Sequence, residues 1–503
     1  MKRNYLFLLS FLEGSAVMAC ELIGAKMLAP YFGTSLYVWA AALGLTLGGL
    51  MTGYFAGGIL SQKYQNKPAL LYWIMIAAGL FTALMPFTSE WIMEETLVWT
   101  LQWGAVFSLL VFMFPPLVFM GMVSPLIINL LNTEIKSAGN SAGTVYAVST
   151  LGGILTTFLF GFYIIPQWGI NYPAITTGLL LCLLPAFSLL RLRVYAVAFV
   201  LLPLLAGLAG MRWKLETAGR AGAQTLYHSE GMLGQVKVAD LPLPSGDSTI
   251  SARALIVNNT LQTVANLNDP AFDFWEYTRY IPLFAEAYPA GSKVLLLGMG
   301  GGTLVGRLRD LDLDLEVVEI DARMKEIAVR YFGLPARQKV VIDDARHFLR
   351  TTPNIYEVII FDTFISESAP EHILTVEGLL AAKARLSEDG ILIINFYGYL
   401  EGDRGAITRC LYKTLQQAGF QIGLFTTPGP EQERNLLLIG SREKKQWPGL
   451  PDYFIPSAFV DTSAAKVLTD QAPQLEMYAR ASADWRKLYN QSYTLFFSQY
   501  KKY

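Results

Sequence analysis

The sequence predicts two unlike halves: an N-terminal polytopic α-helical membrane bundle, and a C-terminal α/β domain with a small β subdomain in front of it. The 503 residues have a mean hydropathy of +0.37 and only 16% charged residues, which is too apolar for a soluble protein of this length. Charge is also uneven, because no Asp occurs before Asp240. We expect a transmembrane domain over residues 1–214, a β-rich subdomain with a connecting helix over 215–285, and the α/β domain over 286–503.

Seven apolar runs in the first half are long enough to cross a bilayer, whose hydrocarbon core of about 30 Å needs roughly 20 helical residues. They are Leu6–Leu28, Leu36–Leu60, Leu70–Phe87, Val106–Leu131, Thr144–Ile165, Pro173–Leu190 and Val194–Gly210. The first run is too long for a signal peptide and lacks a small-residue cleavage site. We therefore expect a multi-pass protein of the cell inner membrane, with the lipid bilayer as a partner.

Two features of these runs go beyond hydrophobicity. Gly49, Gly53 and Gly57 recur every four residues in the second run, a spacing that lets another backbone approach closely and favours packing over transport. The first run also contains three ionisable residues, Glu13, Glu21 and Lys26. Because such groups are costly in lipid, they indicate either an ion pair inside the bundle or a polar substrate site at the membrane.

The second half begins with β-like runs and continues with alternating strands and helices. The early runs are Gln235–Ala239, Ala254–Asn258 and Gln262–Asn266, with Pro242, Pro244, Gly246 and Asp247 as turn residues between them. The later strands are Val294–Leu297, Leu315–Glu319, Val340–Ile342, Val358–Asp362 and Ile391–Phe396. Their alternation with helices predicts a parallel sheet covered on both faces. Gln421–Thr426 and Asn435–Ile439 have no helix between them, which predicts an antiparallel hairpin at the sheet edge.

A glycine-rich turn and a set of acids mark the ends of these strands. Gly298, Gly300 and Gly302 follow the first strand, where they permit a tight turn and a close approach of backbone N–H groups to a ligand. The next three strands end in acids, namely Glu319 and Asp321, Asp343 and Asp344, and Asp362. Any one acid could cap a helix or face solvent. Together with the turn, they predict a nucleoside site with ribose at the second strand and adenine at the third.

The form of the turn favours one class of nucleoside. It satisfies G-x-G-x-G, but Thr303 stands where the dinucleotide motif has its third glycine. This favours an adenosyl-sulfonium compound over NAD, and with it the Rossmann-like fold of the S-adenosylmethionine-dependent transferases. Three widely separated cysteines predict no metal site, and the absence of a long basic run gives no reason to expect nucleic acid.

Several segments together resemble the spermidine synthase (polyamine aminopropyltransferase) family, in its membrane-fused branch with transporter-like N-terminal helices. In the second half they are Val294–Thr303, Val317–Asp321, Asp344–Arg346, Ile359–Asp362 and Glu371–Thr375. In the first half they are Glu21–Gly33 and Tyr146–Gly153. The resemblance covers nearly the whole chain. It implies an enzyme that moves an aminopropyl group from decarboxylated S-adenosylmethionine to an amine such as putrescine, without a metal.

The resemblance also implies roles for individual residues. Glu319 would bind the ribose, Asp344 the adenine, and Asp362 would lie beside the transferred chain and the acceptor amine. Gln262 would contact the donor, as what remains of the family's Leu-Asp-Gly-x-x-Gln element. Glu276 and Tyr277 lie where the family places acceptor contacts, although they also fit an ordinary amphipathic helix.

The chain departs from the family pattern at two positions that matter chemically. Gly301 stands where the family has an Asp that contacts the amine of the donor. Ile365 replaces the second carboxylate of the Asp-x-x-Asp motif, the expected proton acceptor. A substitute would have to come from the loop that follows, which contains Glu367, Glu371 and His372. His372 could equally cap a helix or face solvent.

Three functions remain open on the sequence. The first is a membrane-anchored aminopropyltransferase. The second is an enzyme that uses intact S-adenosylmethionine, such as a methyltransferase, on another acceptor. The third is a protein without catalysis that binds or transports a nucleoside or polyamine. The sequence also leaves a homo-oligomer open.

The side of the membrane on which the soluble half lies is a further expectation. Basic residues occupy alternate loops, which places the N-terminus inside. Seven crossings would then put the soluble half outside, although its ligand predicts the cytoplasm. Three solutions are that one run does not cross, that the stretch from Val98 to Leu131, broken by Pro115 and Pro116, crosses twice, or that the domain is external.

Overall fold

The structure is a computed structural model that divides into two compact units. The described residues are 3–32, 36–65, 67–96, 99, 101–131, 138–194, 196–197, 224–231, 233–245, 248–258, 260–269, 274–363, 371–431, 433–447 and 449–473. One unit comprises residues 1–218 and 229–235, and the other comprises 219–228 and 236–503. The predicted boundary near residue 214 lies outside the described residues and stays a prediction.

The first unit consists of long apolar helices. They are α1 (Arg3–Phe32), α2 (Leu36–Lys63), α3 (Pro68–Thr96), α4 (Leu101–Phe112), α5 (Phe114–Leu131), α6 (Ala138–Leu159), α7 (Ile165–Trp168) and α8 (Asn171–Arg191), with a π-helical turn at Phe160–Ile164 between α6 and α7. Within the described residues, six helical segments are long and apolar enough to cross a membrane. They contain the first six predicted runs in whole or in part. The seventh, Val194–Gly210, falls almost entirely outside the described residues.

The stretch broken by two prolines continues without a reversing loop. Only Met113 separates α4 from α5, and its N–H still bonds the carbonyl of Leu109 at 2.9 Å. Antiparallel helix pairs need a connecting loop of about two to five residues. The proposed double crossing between Val98 and Leu131 therefore finds no support in this geometry, and α4, with 12 residues, is also short for a complete span.

The predicted close packing along the glycine track of α2 is confirmed. A Cβ atom at Gly53 would lie 2.7 Å from Cα of Gly121, and one at Gly57 would lie 2.7 Å from Cα of Met122, so α2 and α5 meet backbone to backbone. In the first helix, Glu13 is buried and its Oε2 accepts a hydrogen bond of 2.9 Å from the Ser149 hydroxyl. That buried carboxylate is thus held by a neutral group of α6.

A small sheet, most of which belongs to the second unit, precedes the α/β domain. Its strands are β1 (Gln224–Gly231), β2 (Gly234–Ser245), β3 (Ser248–Val257) and β4 (Thr260–Asn266), in that order. The sequence missed β1, and its assignment of Pro242 and Pro244 to a turn was wrong, because both lie inside β2 opposite β3. The other two predicted turn residues, Gly246 and Asp247, lie outside the described residues.

The remainder of the unit is an eight-stranded sheet with helices. The strands are β5 (Lys293–Leu297), β6 (Asp314–Glu319), β7 (Val340–Ile342), β8 (Tyr356–Phe361), β9 (Leu386–Tyr397), β10 (Gln421–Thr426), β11 (Asn435–Ser441) and β12 (Phe454–Ile455), in the order β12-β10-β11-β9-β8-β5-β6-β7. The helices are α9 (Tyr277–Ala285), α10 (Thr303–Arg309), α11 (Ala322–Tyr331), α12 (Ala345–Thr351), α13 (Val376–Lys383) and α14 (Ala406–Gln417). Strands β5 to β9 are parallel. The predicted antiparallel hairpin is confirmed as β10 and β11.

Both faces of this sheet are buried, as the alternation of strands and helices predicts. Leu295 and Leu297 of β5 pack into a core with α12 to α14, whereas Val294 and Leu296 pack into a second core with α9 to α11. Val236 of the small sheet belongs to the second core. The β subdomain therefore shares a core with the α/β domain, and the carboxyl ends of β5 to β8 meet along one edge.

Candidate functional site

The glycine-rich loop between β5 and α10 is the centre of this edge. Gly298, Gly300 and Gly302 have φ values of +87°, +48° and +87°, a conformation that side chains strongly disfavour. A side chain at Gly298 would also collide with the backbone carbonyl of Asp362. The predicted tight turn is thus present, and it brings the ends of β5 and β8 into contact.

Glu319 joins the end of β6 to the same loop. Its Oε2 accepts a hydrogen bond of 3.0 Å from the N–H of Met299, and its Oε1 accepts one of 2.9 Å from the N–H of Asp321. The side chain is only 6% exposed, and this burial raises its pKa above the ordinary value. Carboxylate oxygens have further lone pairs, so Glu319 can still accept from a ligand hydroxyl above the loop.

Asp362 follows β8 directly and is held by neutral groups. Its Oδ1 accepts a hydrogen bond of 2.9 Å from the side-chain amide of Asn395, and its Oδ2 accepts one of 3.3 Å from the hydroxyl of Tyr277. Asn435 in turn donates to the Asn395 side chain at 2.9 Å. Burial raises the pKa of Asp362 to about 6, although the hydrogen bonds from Asn395 and Tyr277 act in the opposite direction. A carboxylate that titrates near neutral pH is suited to accept a proton from a reacting group.

The hydroxyl of Thr363, the next residue, is buried and has no hydrogen-bond partner within the described part of the chain. A buried hydroxyl without a partner is costly and calls for a specific explanation, such as a role in a functional site. Asp362 and Thr363 thus form one side of a polar site above β8.

The acids after β7 have a different environment. Asp344 is the N-cap of α12, where its side chain accepts hydrogen bonds from the N–H groups of Arg346 and His347, and it also binds Nε2 of His372 at 2.8 Å. Partial burial raises the pKa of Asp344, but the hydrogen bonds from His347 and His372 outweigh it and hold the pKa below the ordinary value. Asp343 pairs with His347 at 2.8 Å. These two acids already have partners of their own.

This arrangement separates His372 from Asp362. The strands run in the order β8-β5-β6-β7, so three spacings of about 4.8 Å, or roughly 14 Å, lie between the ends of β8 and β7. His372 binds an acid at β7, and its carbonyl accepts a hydrogen bond from Arg346, which forms an ion pair with Asp470. His372 thus lies beside Asp344 in this structure, and the catalytic role predicted for it stays a prediction.

The remaining predicted residues fall into three groups. Tyr277 reaches Asp362, as described, whereas Glu276 forms an exposed pair with Arg279 at 3.5 Å. Asp321 caps α11 and pairs with Arg323 at 2.7 Å, so it stabilises a helix start and has little left for a ligand. Glu367, together with Ile365, lies outside the described residues.

Gln262 lies at an irregularity of the small sheet that faces the loop. Thr263 pairs with Leu255 and Leu261 pairs with Ile256, so Gln262 is the extra residue of a β-bulge in β4. A bulge redirects side chains locally and is common beside active sites. The hydroxyl of Thr263 accepts a hydrogen bond of 2.9 Å from the N–H of Gly301. The small sheet thereby contacts the glycine loop directly.

Comparison with known protein families identifies the domain that contains the carboxyl ends of β5 to β8. Residues 276–448 match the model of the spermine/spermidine synthase domain. The second half of the chain carries a spermine/spermidine synthase domain. Its matched range begins at Glu276, immediately before Tyr277, and includes the glycine loop, Glu319, Asp344 and Asp362.

Curated relatives of the synthase domain carry two kinds of name. An N-terminal histidine N-methyltransferase of Emericella nidulans is 35% identical over 26% of this chain and 25% of its own length. A polyamine aminopropyltransferase of Vibrio vulnificus is 34% identical over 22% of this chain and 39% of its own length. Another, from Ruegeria sp., is 27% identical over 41% of this chain and 74% of its own length. The chain thus spans between a quarter and two fifths of the length of the first two relatives.

Solved structures similar to the synthase domain include a probable spermidine synthase from Corynebacterium glutamicum. It has a TM-score of 0.38 and 21% identity, and the match covers 50% of this chain and 96% of that one. A spermidine synthase from Thermotoga maritima has a TM-score of 0.35 and 18% identity, with 50% of this chain and 82% of that chain covered.

Sequence reasoning missed three residues of the synthase-domain site. Asn395 and Asn435 hold Asp362 from β9 and β11, and Thr263 holds the glycine loop from β4. Asn395 could have been recognised from the sequence, since it is the one polar residue in the apolar run Ile391–Phe396. A buried amide in such a strand needs a partner, and a strand-end carboxylate on the neighbouring strand could have been inferred.

Proposed function

We propose that this domain transfers an alkyl group from an adenosyl-sulfonium donor to an amine nitrogen, with Asp362 as the proton acceptor. The observation that carries the proposal is the placement of Asp362, with its pKa raised to about 6, across the glycine loop from Glu319. Glu319 would take the ribose hydroxyls, and Asp344 would reach the adenine. No metal participates in the proposed transfer.

The first form of the reaction is aminopropyl transfer from decarboxylated S-adenosylmethionine to an amine such as putrescine. The acceptor nitrogen attacks the carbon beside the sulfonium sulfur, and the carbon–sulfur bond breaks. Its electron pair returns to sulfur, which leaves in methylthioadenosine. The proton displaced from nitrogen passes to Asp362, which the Tyr277 hydroxyl and the Asn395 amide hold in place. The match to the spermine/spermidine synthase domain supports this form.

The second form is transfer of a methyl group from intact S-adenosylmethionine, with S-adenosylhomocysteine as the product. It needs the same nitrogen attack and the same proton acceptor, but at the methyl carbon. The observation in its favour is the similarity to the N-terminal histidine N-methyltransferase of Emericella nidulans, which is named for methyl transfer to a nitrogen. Gly301, in place of an acid, is compatible with a changed donor.

We further propose that the first unit anchors the enzyme in the cell inner membrane as a multi-pass bundle, with the catalytic domain on the cytoplasmic side where both donors occur. Six segments of suitable length and apolarity support the anchoring. An even number of crossings with the N-terminus inside would return the chain to the cytoplasm. A protease-protection experiment on inverted membrane vesicles tests on which side of the membrane the C-terminal domain lies. The domain is detected with an antibody, and it should be digested if it lies on the cytoplasmic side.

The test of the transferase function uses the full chain purified in detergent. Each sulfonium donor is incubated with putrescine and with a histidine-bearing peptide, and methylthioadenosine and S-adenosylhomocysteine are quantified by mass spectrometry. We expect one of the two products to form with the wild type and to be lost in Asp362→Asn. Asp389→Asn is the matched control, because the Asp389 side chain is 89% exposed and pairs with Lys445. Binding of a donor without either product over a broad set of amines would contradict catalysis and favour a binding protein.

A further inference from the structure

Glu21 of α1 is a buried acid that the proposed transfer reaction does not use. It is 8% exposed, and within the described residues no cationic side chain pairs with it. Glu13, two turns earlier in the same helix, instead accepts a hydrogen bond from the Ser149 hydroxyl. An ionised group inside an apolar bundle is costly unless it is compensated, and such residues usually mark functional sites. The Glu21 carboxylate therefore needs a partner that the described side chains do not supply.

The hydroxyl of Thr46, in α2, lies beside this carboxylate. Thr46 is 4% exposed, and its Oγ1 has no hydrogen-bond partner within the described part of the chain. Buried threonines in helices usually donate to the carbonyl four residues earlier, as Thr82 does to Ala78 at 2.8 Å. Thr46 does not, and its hydroxyl interacts with Glu21 without forming a hydrogen bond to it. Oxygen atoms of α1 and α2 thus meet inside the bundle at a place where neither is satisfied.

The junction between α4 and α5 adds backbone oxygens. Pro115 and Pro116 have no N–H groups, so the carbonyls of Val111 and Phe112 have no N–H four residues on to bond. The break in the helix thus exposes two acceptors without adding a donor. In membrane bundles, irregular backbone of this kind is tolerated where neighbouring helices, water or a ligand satisfies it, and it often coordinates cations.

Two glycines locate this junction beside the carboxylate and the hydroxyl. A Cβ atom at Gly24, three residues after Glu21 in α1, would collide with the Sδ atom of Met113. A Cβ atom at Gly49, three residues after the buried threonine of α2, would lie 3.5 Å from the carbonyl oxygen of Phe114. Helices α1 and α2 and the α4–α5 junction therefore meet at one level of the bundle, and their close approach leaves room for a small ligand at most.

The groups that meet at this level select the chemistry of a ligand. They are a carboxylate, a hydroxyl and two carbonyls, which are the hard oxygen ligands that alkali and alkaline-earth cations prefer. A single carboxylate balances one positive charge, so a divalent cation would remain under-compensated in the apolar interior. A polyamine would need more space than the glycine contacts leave.

We propose that Glu21, Thr46 and the α4–α5 junction form a binding site for a small monovalent cation, such as Na⁺, inside the helical bundle. Glu21 supplies the negative charge, and the hydroxyl oxygen of Thr46 is a neutral ligand. The carbonyls of Val111 and Phe112 supply the remaining oxygens. The cation site involves no residue of the proposed adenosyl site, so it does not depend on the proposed transferase activity.

Binding of radioactive Na⁺ to the full chain in detergent, measured by scintillation proximity, tests the cation site. The wild type is expected to bind saturably, with displacement by unlabelled NaCl and not by N-methylglucamine chloride at the same ionic strength. Glu21→Gln is expected to weaken binding at least about 100-fold, because it removes the charge that the cation neutralises. Glu13→Gln is the matched control in the same helix, since Glu13 already has Ser149 as a partner, and it is expected to bind as the wild type does.

Further variants test the neutral ligands. Thr46→Val keeps the bulk and loses the hydroxyl, so affinity is expected to fall about tenfold, whereas Thr46→Ser is expected to retain it. The double variant Pro115→Ala/Pro116→Ala restores two N–H groups that can bond the free carbonyls, and it is expected to weaken binding by a similar factor of about ten. Pro125→Ala is its control, because Pro125 lies inside α5 and away from the junction.

Thermal unfolding separates a loss of binding from a loss of folding. Added NaCl is expected to raise the Tm of the wild type and of Glu13→Gln, because a ligand of the folded state stabilises it, but not the Tm of Glu21→Gln. In sodium-free buffer Glu21→Gln is expected to be at least as stable as the wild type, since it removes a buried charge that lacks compensation.

Two outcomes would overturn the cation site. Absence of saturable Na⁺ binding by the wild type refutes it, and is the result expected if Glu21 is buried as a neutral acid. Equal loss of binding in Glu13→Gln and Glu21→Gln also refutes it, because the effect would then not belong to the place where Glu21 and Thr46 meet. Neither result bears on the adenosyl site, which the donor and product measurements test separately.

Discussion

Asp362 and Asp344 are the same residue type at the same edge of one sheet, yet their surroundings give them opposite properties. Asp362 is held by neutral donors, a tyrosine hydroxyl and an asparagine amide, and burial raises its pKa to about 6. Asp344 accepts backbone N–H groups at a helix start and contacts His372, which hold its pKa below the ordinary value. The comparison teaches that the surroundings of a strand-end acid decide the direction of its pKa shift: neutral partners leave the burial of Asp362 uncompensated, whereas backbone N–H groups and an imidazole stabilise the Asp344 carboxylate.

The largest effect that would sharpen this comparison is on catalysis. Asp362→Asn is expected to lower kcat about 1,000-fold, because the attacking nitrogen loses its proton acceptor. Donor affinity is expected to change by less than about threefold, since Asn can still accept from Asn395. The measurement is initial-rate kinetics with the donor and amine found to react. A kcat within about tenfold of the wild type would show that another group takes the proton.

The next effect concerns the acid that joins β6 to the loop. Glu319→Gln is expected to weaken binding of methylthioadenosine about 10- to 100-fold, because a charged acceptor for Met299 and for a ribose hydroxyl is replaced by a neutral one. Calorimetry measures the change. Glu316→Gln is the matched control on the same strand, since Glu316 binds the Tyr356 hydroxyl at 2.7 Å. Equal losses in both variants would mean that Glu319 acts only through folding.

A smaller effect is expected in the pH profile. Because Asp362 must be deprotonated to accept a proton, kcat/KM is expected to fall about tenfold per pH unit below about 6. Tyr277→Phe removes a hydrogen bond that favours the carboxylate, so the pKa rises further and the limb moves to higher pH. Tyr280→Phe is the control on the same helix, where the ring packs against Phe425. If the acidic limb of the kcat/KM profile does not move in Tyr277→Phe, Tyr277 does not affect the pKa of the titrating group.

The smallest expected effect is on the stability that Asp344 contributes to the fold. Asp344→Ala is expected to lower the free energy of unfolding by about 1 kcal/mol at pH 7, through loss of an N-cap. Since the folded-state pKa of Asp344 lies below its ordinary value of 3.8, this contribution is present above that pH and is lost as the pH falls through the folded-state pKa. Denaturant titrations at pH 7 and pH 3 measure it. Asp343→Asn, at an exposed pair with His347, is expected to change stability by less than about 0.5 kcal/mol.

Sequence patterns predicted the sheet of this domain well because each pattern reports a local requirement. Buried parallel strands need continuous apolar runs, and the turn after β5 needs glycines at positive φ, so both are visible in the order of residues. Glu319 and Asp362 could be placed because parallel strands end at one edge. The first six apolar runs of the other half were visible for the same reason, since a long helical segment requires a long apolar run.

Contacts between distant segments could not be predicted in this way. The Thr263–Gly301 hydrogen bond joins two sheets, and the choice of Asp344 over Asp362 as partner of His372 depends on the strand order. Proline is common in turns, and a turn was therefore predicted at Pro242 and Pro244. Pairing with β3 instead places both residues inside β2. What the sequence left open is therefore concentrated in tertiary packing, where a side chain's neighbour comes from another part of the chain.

The ion pair between Arg346 and Asp470, with oxygen–nitrogen distances of 2.6 and 2.7 Å, has a practical consequence. The same arginine binds the carbonyl of His372, and Thr375 bridges the two from its hydroxyl. A chain shortened before position 470 would therefore lose contacts that hold His372 and Thr375 in place. The cut would lie more than 100 residues after Asp362 in the sequence. Trimming of this protein for crystallisation should stop beyond that aspartate.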